Sequence, residues 1–294
     1  MTIRNHKLRA GIVLSTAIAA PLTVVEAQTQ DDENYTVIST EGGMTKSNSV
    51  DKIGNSDYSD YSEGFYGSVE ILRSVNNGWD WSLSATSQDF GEVNAFNEEY
   101  NESLNYSSSN KIVDFNLGKN FREKNLDIRL SAGVTALQLS QHAAVKGLTE
   151  DDGLLLSQNG FVETKYQGFG ARVGVDAKLQ MGENSPISIF GGVSAALTHG
   201  SQNAVKGVDF IYDEAENGSE DQDLEQFSST QRDSRSDNVR HVSANIGLEV
   251  EAGNNTTFRI GVRHDEFTST RGIPINNGNS VDGTTGYVGV AIRF

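Results

Sequence analysis

Apolar and polar residues alternate with a period of two along much of this chain. The final segment, 283–294, shows the pattern: one face carries Val288, Val290, Ile292 and Phe294, and the other carries Tyr287, Gly289, Ala291 and Arg293. Successive side chains of a β-strand point to opposite faces, so one face of this strand suits lipid and the other suits a polar interior. The pattern predicts the closing strand of a membrane barrel; an ordinary amphipathic strand is the simpler alternative.

Eight earlier segments repeat this alternation. They are residues 65–72, 79–86, 113–118, 127–136, 169–179, 187–198, 242–251 and 258–263. Short turn sequences at 76–78, 122–125, 182–186 and 253–255 alternate with long polar stretches at 91–110, 147–167, 203–237 and 271–282. Transmembrane barrels have such short periplasmic turns and long extracellular loops. The last strand should end in the periplasm, and counting backwards from it makes the strand at 65–72 run from the outside inwards. One strand must therefore precede it, and the weak segment 35–40 supplies that strand. We therefore predict an all-β, antiparallel up-and-down barrel of about ten strands, with eight or twelve as alternatives.

The N-terminus indicates export. Arg4, Lys7 and Arg9 precede an apolar run at 10–25, and small or apolar residues occupy the positions before a cleavage site after Ala27. We expect residues 1–27 to be a signal peptide, 28–63 to hold the weak first strand and a polar loop, and 64–294 to form the barrel. No later run of 18 apolar residues predicts a membrane helix. The chain has no cysteine, so an oligomer would not be disulfide-linked.

The net charge of −17 argues against nucleic acid as a partner. Part of that charge lies in the polar stretch 209–225, which contains eight carboxylates and no base. A divalent-cation site is conceivable there, but the spacing of a calcium loop is missing, so a solvated acidic loop is the preferred interpretation. No motif for a cofactor or a metal site is present.

Ionisable residues occupy the face opposite the apolar one in the predicted strands. They are Glu70, Asp80, Asp114, Asp127, Arg129, Arg172, Asp176, Lys178, Glu249, Glu251, Arg259, Arg263, Asp265 and Arg293. A charge on the lipid face costs about 2–4 kcal/mol near the bilayer midplane, so these side chains should line the lumen. They would either tune a polar passage or pair into a salt-bridged plug.

One short motif raises the question of catalysis. His241-Val242-Ser243 resembles the His-x-Ser arrangement of outer-membrane lipid A deacylases, in which histidine is the base and serine the nucleophile. Both residues are predicted to face the lumen, whereas a lipid substrate arrives from the membrane side. We therefore expect no enzymatic activity.

The central hairpin resembles the Legionella-type pore-forming outer-membrane protein family. The similarity is carried by the segments 168–177 (GFGARVGVDA) and 189–200 (IFGGVSAALTHG), with weaker matches at 64–67 and around Phe121. It implies an outer-membrane β-barrel that forms a pore, with Arg172 and Asp176 at the polar positions of the motif. Ala171 stands where the family pattern has proline, and the cysteines of some relatives are missing.

These patterns together predict a pore-forming protein of the bacterial outer membrane that lets ions or small solutes diffuse passively. The alternative is a closed barrel whose long acidic loops serve as a structural or adhesion platform. Expected partners are outer-membrane lipid and lipopolysaccharide, together with the barrel-assembly machinery. That machinery would recognise the last strand through Val288, Val290, Ile292 and Phe294.

Overall fold

A computed structural model describes residues 34–47, 62–97, 102–151, 154–182, 185–213, 224–253, 255–270 and 280–294. These residues form ten β-strands and one 3₁₀ turn, Asn76–Gly78. In chain order the strands are β1 (Thr36–Ser47), β2 (Ser62–Val75), β3 (Trp79–Asn97), β4 (Glu102–Glu123), β5 (Leu126–Asp151), β6 (Leu154–Gln180), β7 (Ile187–Asp213), β8 (Leu224–Ala252), β9 (Thr256–Ser269) and β10 (Ser280–Arg293).

Each strand pairs antiparallel with its neighbours in sequence, and β1 pairs with β10 to close the barrel. At the seam, the Thr36 amide donates to the Phe294 carbonyl at 3.1 Å, and the Phe294 amide donates to the Thr36 carbonyl at 2.8 Å. Closure leaves no free sheet edge at this level, which a membrane-embedded sheet requires. The predicted ten-strand, up-and-down barrel is confirmed.

The outer face of the barrel carries an apolar belt. Its side chains are unusually exposed for their type, for example Phe65 at 65%, Val173 at 59%, Ile246 at 62% and Val288 at 61%. Large apolar patches of this kind are not tolerated in water but are what hydrocarbon contacts in a membrane barrel. The alternation in the sequence therefore reflects lipid on one side of the sheet.

Four tight connections lie at one end of the barrel, which we call the short-turn end. They are Asn76–Gly78, the pair Lys124 and Asn125, and the stretches 181–186 and 253–255, the last two only partly described. Asn77 (φ 64°), Gly78 (φ 71°) and Lys124 (φ 52°) take the left-handed backbone conformation that tight hairpins need. The predicted turn positions agree with these connections.

At the opposite end, which we call the tall end, the prediction of long loops was wrong. The stretches 91–110, 147–167 and 203–237 are largely strand, because β3 to β8 extend far past the belt, and β8 reaches 29 residues. A membrane crossing needs only about 9–11 residues. The error arose because period-two apolarity marks contact with lipid, whereas a paired strand in water can carry polar residues on both faces. β10 begins at Ser280, inside the predicted loop 271–282, and 271–279 lie outside the described residues.

The first strand is also longer than predicted. β1 covers Thr36–Ser47 rather than 35–40 and pairs along its length with β2, so the barrel begins before residue 64. The predicted signal peptide at 1–27 lies outside the described residues. Within the described ranges, no helix has the length and apolar character of a membrane-spanning helix.

The phase of the alternation inverts at one level of the barrel. On β5, Val134 and Ala136 face outward, but above them it is the inward side chains Leu137 and Leu139 that are apolar and buried. On β4 the switch lies between Val113, which is 48% exposed, and Ile112, which is 2% exposed. Val113 pairs with Ala136 and Ile112 with Leu137, so the inversion continues across strands. The interior above this level therefore contains a layer of apolar side chains beside buried uncharged polar ones such as Asn110 and Gln141, whereas the belt region has a charged interior.

Candidate functional site: the barrel lumen

The belt region encloses a cavity of about 510 Å³. All of the predicted lumen residues except Asp80 and Asp265 line it. Its lining reaches Gly253, Asn255 and Arg293 at the short-turn end. The strands bring these charges together because every second residue of a barrel strand faces inward.

Asp80 does not line the cavity and belongs to a deeply buried ion pair. Its carboxylate is within 2.7 Å of Arg129 Nη2 and accepts a further hydrogen bond from Asn120 Nδ2 at 2.6 Å. The Asp80 side chain is fully buried and that of Arg129 is 14% exposed. Arg129 also approaches Asp176 at 3.4 Å. Asp80 is the first inward residue after the Asn76–Gly78 turn, so the turn sets the height of this pair.

Two further clusters connect non-adjacent strands across the lumen. Arg172 on β6 pairs with Asp114 on β4 and donates to Ser194 Oγ at 2.9 Å. Glu249 on β8 pairs with Lys178 and, at 2.9 Å, with Arg259. Because these pairs bridge strands, they fill part of the lumen as well as neutralising its charge.

Asp127, Glu251 and Arg293 lie nearer the short-turn end. Asp127 is 3.3 Å from Arg122, and both side chains are well exposed. Glu251 is 3.4 Å from Lys178 Nζ, and the Arg293 guanidinium lies over the Tyr35 ring at 4.0 Å. These groups form the rim of the cavity and are screened by solvent more than the inner pairs.

A second network includes residues that the sequence patterns did not identify. Arg263 binds Asp265 through Nε at 2.8 Å and through Nη2 at 2.9 Å, and its Nη1 donates to the Tyr66 hydroxyl at 3.3 Å. The Tyr66 hydroxyl donates in turn to Glu41 at 3.1 Å. Glu41 was missed because the predicted first strand ended at residue 40. Its parity with Ser39 in a longer strand would have revealed its inward position.

Not every lumen group has a protein partner. Among the described residues, Glu70 has no base within ion-pair distance, although it lines the cavity. Three side-chain oxygen atoms are buried and have no hydrogen-bond partner among the described residues. They are Oδ1 of Asp114, Asn116 and Asn245. Buried acceptors of this kind normally bind water. We expect the cavity to be hydrated.

An apolar layer lies across the lumen at the level of the phase inversion. It consists of Phe90, Ile112, Leu137, Leu139, Tyr166, Val239, Phe267 and Val281, all under 10% exposed. These residues come from β3, β4, β5, β6, β8, β9 and β10. None of them lines the charged cavity, which therefore ends beneath the layer.

Two aromatic contacts organise this apolar layer. The rings of Phe90 and Phe267 meet edge to face, with centroids 6.2 Å apart. The Phe267 ring stacks on the imidazole of His241 at 4.4 Å, with planes 4° apart. His241 Nε2 is 2.9 Å from Asp265 Oδ1, which links the layer to the charged network beneath it. The sequence patterns did not identify this layer, although apolar residues of inverted phase on β4 and β5 would have indicated it.

The His241-Val242-Ser243 motif lies on β8 with both polar side chains facing inward. His241 is 2% exposed and Ser243 is 7% exposed. The imidazole contacts Asp265 and Phe267, and Val242 faces outward between the two. His241 is therefore packed against the apolar layer, and Ser243 lines the cavity beneath it.

Metal ligands are not grouped in the part of the chain that the structure describes. No three histidine, aspartate or glutamate side chains there lie close enough together to hold an ion. Of the acidic stretch 209–225, residues 209–213 end β7 and residues 224 and 225 begin β8. The remainder, 214–223, lies outside the described residues.

The sequence profile described as Legionella pneumophila major outer membrane protein precursor matches residues 58–261. The chain belongs to this family. The match spans most of the barrel, including the two hairpin segments that carried the resemblance. The protein is therefore an outer-membrane β-barrel, and we take the short-turn end as periplasmic and the tall end as extracellular.

Several solved structures are similar to this chain at low sequence identity. The outer-membrane protease OmpT from Escherichia coli shares 11% identity at a TM-score of 0.43, covering 92% of this chain and 99% of its own. A major outer membrane protein from Thermus thermophilus shares 11% identity at a TM-score of 0.37, covering 88% of this chain and 99% of its own. Neisserial surface protein A shares 12% identity at a TM-score of 0.32, covering 88% of this chain and 97% of its own. No curated protein sequence matches the chain.

Proposed function

We propose that this family member is an outer-membrane pore through which ions and small solutes diffuse passively. The observation that carries the proposal is the charged cavity of about 510 Å³, which reaches the short-turn end. Carboxylate and amide oxygens without protein partners face it, so water can fill it. Rings of charged side chains select among permeating ions in membrane channels.

The paired charges set the character of this pore. Most of the lumen bases bind a carboxylate, so the cavity offers a mixed-charge surface rather than a field of one sign. Glu70 and Glu41 have no salt bridge among the described residues, so these two carboxylates on β1 and β2 line the cavity without a base in contact. We expect small conductance steps, because bridging pairs narrow a lumen of ten strands.

A planar lipid bilayer tests the proposal. Purified full-length protein, refolded to its heat-modifiable form, should produce discrete conductance steps in potassium chloride. The Arg172→Gln and Asp114→Asn double variant should alter the step size, because it removes a pair that bridges β4 and β6. Persistent silence at all voltages, both of the folded wild type and of a folded variant with a widened lumen, would overturn the pore.

A closed barrel that acts as a surface platform is the second candidate. Two observations favour it: the apolar layer across the lumen, and the strands that extend well beyond the belt at the tall end. Rigid scaffolds of this kind hold interaction surfaces in place. Binding of the intact protein to lipopolysaccharide or to host-cell surfaces, without conductance, would support it.

We further propose that residues 1–27 direct export, that Val288, Val290, Ile292 and Phe294 guide assembly, and that the barrel has no enzymatic activity. The burial of His241 and Ser243 supports the last point. Lipid A from cells expressing the protein should keep its mass, and Ser243→Ala should change nothing.

A further inference from the structure

We propose that Phe90 and Phe267 determine whether the lumen conducts, by closing it to hydrated ions where the barrel leaves the hydrocarbon. This inference rests on the proposed pore function. The two rings lie in the apolar layer, above the cavity to which Asp114, Ser243 and Arg263 contribute. A hydrophobic constriction blocks ions because water withdraws from it, and an ion cannot leave its hydration shell there.

Phe90 faces the lumen in phase with Thr86 and Gln88, which are also buried, and an irregularity in β3 follows it directly. The pairing between β3 and β4 shifts register between Asp89 and Glu92, so Phe90 and Gly91 face a single residue on the partner strand. Gly91 has a φ of 86°, which side chains other than glycine rarely adopt. A β-bulge of this kind re-aims a side chain. Phe90 keeps the inward phase of the residues before it, and the strand changes face just beyond it, where Gly91 is buried and Glu92 is exposed.

The Phe90 ring extends from β3 across the interior to the β1–β10 seam. It lies against Gly283 on β10, where an added Cβ would come within 2.6 Å of the ring. The same Cβ would lie 3.0 Å from the Thr45 methyl group on β1. The glycine provides the space in which the Phe90 ring meets Phe267, which lies on the neighbouring strand β9.

A series of contacts connects Phe267 to the charged residues that lie beneath the apolar layer. His241 stacks on its ring and binds Asp265, and Arg263 fixes Asp265 with two hydrogen bonds. His241 is therefore a positioning residue for Phe267. The closed state is thereby linked to the same charged network that lines the cavity.

A polar network closes the lumen beside the rings. Thr45 and Thr285 hydroxyls share a hydrogen bond of 2.8 Å, Gln88 Nε2 donates to Thr285 at 3.1 Å, and Asn110 Nδ2 donates to Gln88 at 2.9 Å. All four residues are buried, and Thr45 and Thr285 are fully so. The aromatic pair and this polar network therefore occupy the lumen side by side at this level.

The test compares wild type with the Phe90→Ala/Phe267→Ala double variant in planar bilayers. The double variant should raise the mean open probability at least about ten-fold, because a shortened pair leaves room for water. Phe90→Leu/Phe267→Leu should restore the wild-type value, since leucine refills the apolar space. Phe65→Ala/Phe258→Ala is the matched control, because both rings face lipid and are 65% and 53% exposed. Heat-modifiable migration verifies folding of every variant.

The outcomes separate this inference from the pore itself. Equal, frequent openings in wild type and the alanine double variant would overturn the role of the rings and leave the pore standing. Silence of the folded alanine double variant would overturn both, and would favour the closed platform. An equal rise in open probability for Phe65→Ala/Phe258→Ala, the lipid-facing control, would also overturn the inference. His241→Ala should raise open probability in the same direction as the alanine double variant, and His241→Phe should restore closure by keeping the stacked ring.

Discussion

Removal of the Asp80 carboxylate should destabilise the barrel far more than removal of a rim carboxylate. Asp80 is fully buried and accepts hydrogen bonds from Arg129 and Asn120 at 2.6–3.0 Å. In Asp80→Ala, the carboxylate that Arg129 retains is that of Asp176, at 3.4 Å, beside the Ser82 hydroxyl at 3.3 Å. Leaving one member of a buried ion pair uncompensated costs about 3–5 kcal/mol. We expect a loss of that size in the free energy of unfolding.

Asp127→Ala is the matched control for this prediction. Asp127 also faces the lumen and pairs with a base, but its side chain is 43% exposed and that of Arg122 is 75% exposed. Exposed pairs contribute about 0–1 kcal/mol. The Asp80→Ala/Arg129→Met variant should regain part of the loss, because it removes the uncompensated charge.

Urea unfolding in phospholipid vesicles measures these differences. Trp79 and Trp81, the chain's two tryptophans, flank Asp80 and report unfolding by fluorescence. Each variant is followed in both directions to establish reversibility. Losses that agree within about 1 kcal/mol for Asp80→Ala and Asp127→Ala would refute the reasoning, because the two sites differ in burial and share their chemistry.

Three further predictions concern the outer face, the C-terminus and the tall end. Val173→Arg, in the apolar belt, should destabilise the barrel by about 2–4 kcal/mol in the same urea assay; Ser140→Arg, above the belt, should cost far less, and equal losses would contradict the position of the belt. Phe294→Ala should lower the yield of heat-modifiable protein in the outer membrane, whereas Phe258→Ala should not; equal yields would remove the assembly role. Burial raises the pKa of Tyr106 to about 12, outside the membrane-spanning segment. The unfolded chain therefore ionises first, so stability should fall as pH rises from about 10 towards 12; Tyr106→Phe should flatten that decline, and an unchanged pH profile would contradict it.

The belt region was predictable from sequence because lipid imposes a strict alternation on it. Phe65, Val69 and Ile71, for example, share the outward face that their spacing indicated. Phe190 departs from this alternation, because it is a large apolar residue on the polar face of β7, and the structure gives the reason. Its ring faces inward beneath the Arg259 guanidinium, 5.6 Å away, and occupies space that Gly247 leaves free.

The tall end was not predictable by the same criterion. On β8 the residues from Phe227 to Ser234 are exposed on both faces, so no alternation distinguishes them from a loop. Their strand character comes from backbone pairing with β7, a non-local feature that side-chain periodicity does not encode. The aromatic contact between Phe90 and Phe267 was equally hidden, because it joins residues on strands that lie far apart in the sequence.

The phase inversion between Ile112 and Val113, and between Ala136 and Leu137, has a consequence for biogenesis. Above that level the outward surface is hydrophilic, yet it has to travel from the periplasm to the cell exterior. A closed barrel with a hydrated outer surface cannot pass through the hydrocarbon of the bilayer, because each polar group on that surface would lose its water. We therefore expect the upper wall to cross while the ring is still open, and the β1–β10 seam to close last.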